Sequence, residues 1–148
     1  MQPKFIFQWL ALFTRLIVGL LFGMAGYHKV FIMTPAAHAE KFFTGPYADS
    51  WIPHWLLLIT GLTVPFVELI AGFLLVAGLF RLPAAIALGA VLVLVTYGHE
   101  LKEPLFNVTS HILPRALLLI PTWMLPVEAD RWSLDFAIAW WRKRPTER

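Results

Sequence analysis

Residues 5–31 read FIFQWLALFTRLIVGLLFGMAGYHKVF, and this stretch decides the fold. Only Arg15, His28 and Lys29 interrupt it with a charge or an imidazole. A bilayer core of about 30 Å is crossed by about 20 apolar residues in helical form. A lone Lys4 ahead of the run and Ala25-Gly26 near its end imitate a signal peptide, but the run outlasts the apolar region of one. It therefore reads as a retained membrane span.

Working outward, further apolar runs cover about 55–80, 82–98 and 112–125. The last is short and carries Pro114 and Pro121, with Pro126 just beyond, so it is expected to be tilted or bent. The whole chain agrees: 148 residues are 59% hydrophobic and 14% charged, with a mean hydropathy of +0.70. Soluble domains run at about 45–50% apolar and about 25% charged. The expectation is an all-α integral membrane four-helix bundle, a single domain with no room for a separate soluble one. The absence of cysteine excludes disulfides, iron–sulfur ligation and thiol chemistry within this chain.

A formal charge of +3 is compatible with a nucleic-acid partner, but the basic residues gather at span ends and act better as orientation signals. Lys4, Arg81, Arg131, Arg142, Lys143, Arg144 and Arg148 fall at one side; Lys29, Lys41 and Lys102 fall at the other. The positive-inside rule then places both termini in the cytoplasm; the expected location is a bacterial or archaeal inner membrane. Thr34-Pro35 opens a short outer interfacial helix over about 35–43. Ser133 caps a cytoplasmic amphipathic helix over about 134–141, whose Trp140 and Trp141 meet Arg142-Lys143-Arg144 as a foot against anionic lipid.

Charges inside a membrane cost about 2.5–3.5 kcal/mol each on insertion scales. Arg15 lies eleven residues after Lys4, and Glu68 thirteen before Arg81. At about 1.5 Å per residue both sit at nearly equal depth, which predicts an Arg15–Glu68 ion pair between antiparallel helices. Gly19, Gly23 and Gly26 share the Arg15 face, while Gly61, Pro65 and Gly72 share that of Glu68, as close helix packing requires. Such a pair serves either as a register lock or as a site of chemistry.

Five histidines, His28, His38, His54, His99 and His111, fall on the outer side in this topology. Lys29, Lys102 and Arg115 form a candidate anion mouth; Tyr97, His99 and His111 form a candidate quinone site. Interfacial anchoring accounts for the same residues equally well. Metal ligation has no supporting His-x-x-x-His or Glu-x-x-His spacing, so no metal is expected.

The motifs Arg15-Leu-Ile-Val-Gly19 with Gly26-Tyr-His-Lys29, Glu68-Leu-Ile-Ala-Gly72 with Gly78-Leu-Phe-Arg81, and Ser133-Leu-Asp135 together resemble the DoxX family of small four-helix membrane proteins. Glu128-Ala-Asp-Arg131-Trp132 departs from the glycine-rich turn usual there. The resemblance implies kinship with membrane subunits of thiosulfate:quinone oxidoreductase. Two functions follow as expectations: a small accessory or scaffolding subunit of a membrane redox complex, or a quinone-reducing subunit with an outer anion site. Partners are the bilayer and other membrane subunits or a second copy, with quinone the one candidate cofactor.

Overall fold

The computed structural model describes residues 3–102 and 112–143, and every regular element among them is helical. Six α-helices follow in order: α1 (Pro3–Tyr27), α2 (Pro35–Ala39), α3 (His54–Ala77), α4 (Arg81–Lys102), α5 (Leu113–Met124) and α6 (Leu134–Arg142). Wide π-helical turns extend α1 over His28–Ile32 and α2 over Glu40–Thr44.

Among the described residues, three segments are long and apolar enough to cross a membrane: Phe5–Ile32, His54–Ala77 and Arg81–Lys102. Only about a third of each is buried inside the protein. Phe13, Ile59, Ile70, Ile86 and Val93 are all more than half exposed. Apolar surface on this scale does not belong in water; it belongs against lipid tails.

α5 differs from the expected fourth span. Its twelve residues rise about 18 Å, well short of the hydrocarbon thickness. Pro114 opens it, Pro121 lies inside it, and Leu125 turns extended ahead of Pro126, as a residue before proline tends to do. α5 nevertheless shares the core. Val18 and Phe22 of α1, Ala71 and Leu75 of α3, Leu88 and Leu92 of α4, and Leu119 of α5 pack together.

α1 and α3 form the most extensive helix pair, and glycine sets their approach. A Cβ at Gly19 would come within 2.8 Å of the Gly72 carbonyl oxygen, one at Gly72 would strike the Gly23 backbone, and one at Gly26 would strike that of Leu69. Gly61 faces α2 instead, where a Cβ would lie 2.7 Å from Ala39.

The α3–α4 turn is tight. Gly78 closes α3 in the left-handed region at φ 69°, and Phe80 adopts φ 48°, a strained value for a residue with a side chain. Asp135 holds the turn: its carboxylate accepts from Phe80 N at 2.9 Å and Arg81 N at 2.8 Å. Ser133 caps α6 by accepting from Phe136 N at 3.1 Å. Ser133-Leu-Asp135 is thus a clip, one residue starting α6 and the other fastening it to the start of α4.

Candidate functional site

Two clusters of buried charge sit at different levels, and they correct the Arg15–Glu68 pairing. Gly19 faces Gly72 and Val76, and Gly26 faces Leu69 and Pro65. In that antiparallel register Arg15 reaches the last turn of α3, while Glu68 lies opposite the far end of α1. The equal-depth expectation took Lys4 and Arg81 as markers of one membrane edge. Arg81 is itself buried in the protein, and α1 runs several turns beyond the end of α3.

At the end carrying the α3–α4 turn, Arg15 Nε lies 2.8 Å from Asp130 Oδ2. The guanidinium also donates to the Leu75 carbonyl at 2.8 Å, to the Val76 carbonyl, and to the Trp132 carbonyl at 3.4 Å. Arg81 Nη1 approaches the same Asp130 oxygen at 3.5 Å, and its Nη2 donates to the Leu125 carbonyl. Arg15, Arg81 and Asp130 are each less than 5% exposed. One carboxylate therefore serves two guanidiniums. The remaining positive charge is met by carbonyls at the C-terminus of α3, where a helix favours cations. Asp130 was missed in the sequence. Its signal was Arg15 and Arg81, two cations at one end that need a counter-ion.

At the opposite end, Lys29 Nζ contacts Glu68 Oε2 at 2.5 Å. Glu68 is buried, whereas Lys29 keeps about a quarter of its side chain exposed. Arg115 sits 5.7 Å from the Phe22 ring centroid, and its charge also acts favourably on Glu68. Lys29, proposed as part of an anion mouth, is thus paired with a carboxylate of the protein, and Arg115 lies beside the Phe22 ring.

The other candidates engage separate partners. His99 Nδ1 meets the Val95 carbonyl of its own helix at 2.8 Å, and Tyr97 is half exposed. Lys102 lies over the Tyr47 ring at 5.3 Å, and Tyr47 donates from its hydroxyl to the Gly98 carbonyl at 2.5 Å. Burial pushes the Tyr47 phenol up. His111 lies outside the described residues. Among the described residues no three His, Asp or Glu side chains gather as a metal-binding group.

His38 is the second residue that sequence reasoning passed over. It is 3% exposed, its Nδ1 is 2.8 Å from the Gly61 carbonyl, and the rings of Phe42 and Phe43 stand 5.2 and 5.6 Å away. Burial holds the imidazole below its ordinary pKa, the Gly61 bond works the other way, and the charge of Lys29 adds to the lowering.

The fold and its lipid-facing surface define a multi-pass helical membrane protein. Residues 7–99 match the family model of Methylamine utilisation protein MauE, well over half of the chain, and the chain belongs to that family. This overturns the DoxX resemblance: Arg15, Gly19, Gly26, Glu68 and Gly72 fall inside the matched region, and short glycine-and-charge motifs are what any tightly packed helix pair with buried charges needs. Neither curated proteins nor solved structures gave a match.

Proposed function

We propose that the chain is an accessory membrane protein of a redox-linked pathway, one that holds other components in place and leaves the chemistry to them. The observation behind this reading is the use of its buried charges. Arg15, Arg81 and Asp130 tie together α1, α4, the C-terminus of α3 and the approach to α6. Lys29 and Glu68 tie α1 to α3. Buried ion pairs of this kind more readily specify packing than react. Family membership supports the redox link, because oxidative deamination is one chemical route by which methylamine, named in the family description, is used.

In this reading α5 serves as the short fourth helix of the bundle, packed in the core beside the three spans. The end bearing Arg81, Arg142 and Lys143 faces the cytoplasm by the positive-inside rule. The glycine faces of α1 and α3 are spent within the chain, so partners meet the lipid-facing side chains.

The test is extraction of the full-length chain in mild detergent. Co-elution with other membrane or redox proteins is expected, together with no reduction of a short-chain quinone by the chain alone. Quinone reduction by the purified chain that His99→Ala abolishes would replace this reading with an enzymatic one.

A further inference from the structure

Among the described residues, α6 is a nine-residue helix that the bundle does not absorb. None of its residues is buried, and its most extensive packing is with the short 3-10 turn Val127–Ala129 just before it. Its start is fastened by the Ser133 cap, by Asp135 N donating to the Gly78 carbonyl at 2.9 Å, and by the Asp135 carboxylate on Phe80 N and Arg81 N.

Its faces are segregated. Leu134, Ile138 and Trp141 recur at the i, i+4 and i+7 spacing of one helical face, with Ala137 and Trp140 beside them. Asp135 and Arg142, seven residues apart, share another edge, and Asp135 turns that edge toward the α3–α4 turn. At roughly 100° per residue the apolar stripe lies about a quarter turn from that edge. Trp140 is 52% exposed and Trp141 75%. Arg142 and Lys143, both exposed, follow directly, and Arg144 comes next in the chain.

The start of α6 is continuous with the membrane-facing surface. Trp132 packs against Trp9 of the first span with ring centroids 4.9 Å apart. Phe5, Ile6 and Trp9, on the same end of α1, are about half exposed. A tryptophan-rich apolar stripe ending in consecutive cations, held at the level of an aromatic belt, complements an interface of acyl chains below anionic headgroups.

We propose that α6 is a lipid-binding foot: its Ile138–Trp141 face enters the headgroup interface, and Arg142 and Lys143 select anionic lipid there. The inference is independent of the assembly reading, since it concerns only the bilayer in which the chain sits.

The chain has no cysteine, so a single introduced one reports on α6 alone. The full-length Ile138→Cys protein, carrying an environment-sensitive fluorophore, is placed in nanodiscs of phosphatidylcholine with or without phosphatidylglycerol. Lipids bearing a quencher near the headgroup read its depth. A label at Val93→Cys, a lipid-facing position in α4, verifies insertion of the bundle. The expected result is strong quenching at position 138 in anionic discs, weakened in zwitterionic ones and by high salt. R142Q and K143Q should each lower the interfacial partition about fivefold, with the Val93 signal unchanged. Equal quenching in both lipid compositions would overturn the selectivity. A label that stays in water in both discs, or that becomes shielded only when another protein is added, would overturn the lipid assignment.

Discussion

His38 occupies the hydrogen-bonding position that Pro65 leaves open. Proline has no N–H, so the carbonyl four residues earlier, at Gly61, receives no donor from its own helix. His38 Nδ1 stands 2.8 Å from that oxygen. One backbone defect inside a membrane span is thereby matched by one side chain from the adjoining interfacial helix. Gly61 makes the approach possible, because a Cβ there would collide with Ala39 beside His38.

Removing the donor should expose the defect. His38→Ala leaves a buried carbonyl unpaired and is expected to destabilise the protein by about 1–3 kcal/mol. Pro65→Ala in the same background restores the helical N–H and should recover part of the loss. A double-mutant cycle followed by thermal unfolding in detergent measures the coupling; simple additivity would show that the two residues do not act through Gly61.

The same imidazole makes stability depend on pH. Its folded pKa is lowered from the ordinary 6.5, so the unfolded chain binds the proton more tightly. The contribution is fully present above about pH 6.5, declines as pH falls through that value, and levels off below the folded pKa. His38→Gln, whose amide can still donate to Gly61, should flatten the profile between pH 7 and 5. A variant profile as steep as the wild type would assign the dependence elsewhere.

Asp130→Asn removes the carboxylate between Arg15 and Arg81 and leaves two buried guanidiniums without a counter-ion. The expected loss is about 3–5 kcal/mol, read as a lowered Tm or failure to accumulate in the membrane. Arg81→Met in the Asp130→Asn background should recover stability, since one stranded charge is gone.

The glycines separate into strict and tolerant positions. Gly26→Ala and Gly72→Ala press a methyl group into the opposing backbone and should cost about 1–3 kcal/mol. At Gly23 the nearest atoms to a Cβ are 3.5 Å away, an ordinary contact, and alanine favours the helix by about 1 kcal/mol. Gly23→Ala should be neutral or slightly stabilising. Equal losses at all three sites would contradict the helix–helix geometry described.

The first three spans were legible because apolar length is a local property, and lipid imposes it strongly. Long-range pairing was not. Arg15 was matched to Glu68 by counting from Lys4 and Arg81, but Arg81 is an internal residue and α1 overshoots α3, so the depth scales of the two helices were offset. Asp130 sits in an irregular stretch with no periodicity to mark it. Lys29 carries a stem long enough to reach Glu68 from the end of α1, a distance that residue spacing does not convey. His38 was visible only as one of five histidines; Pro65 was the clue to its partner. Short motifs misled on family for a related reason, since glycines beside buried charges reflect tight packing in a membrane.

The most direct test of the structural role given to the buried charges is the exchange Lys29→Glu with Glu68→Lys, followed by thermal unfolding and mild-detergent co-extraction. Each single substitution should lower Tm and reduce co-extraction, and the exchange should restore both. An exchanged protein that unfolds like the wild type yet has lost its co-extracted partners or an associated activity would show that these two side chains do more than hold α1 against α3.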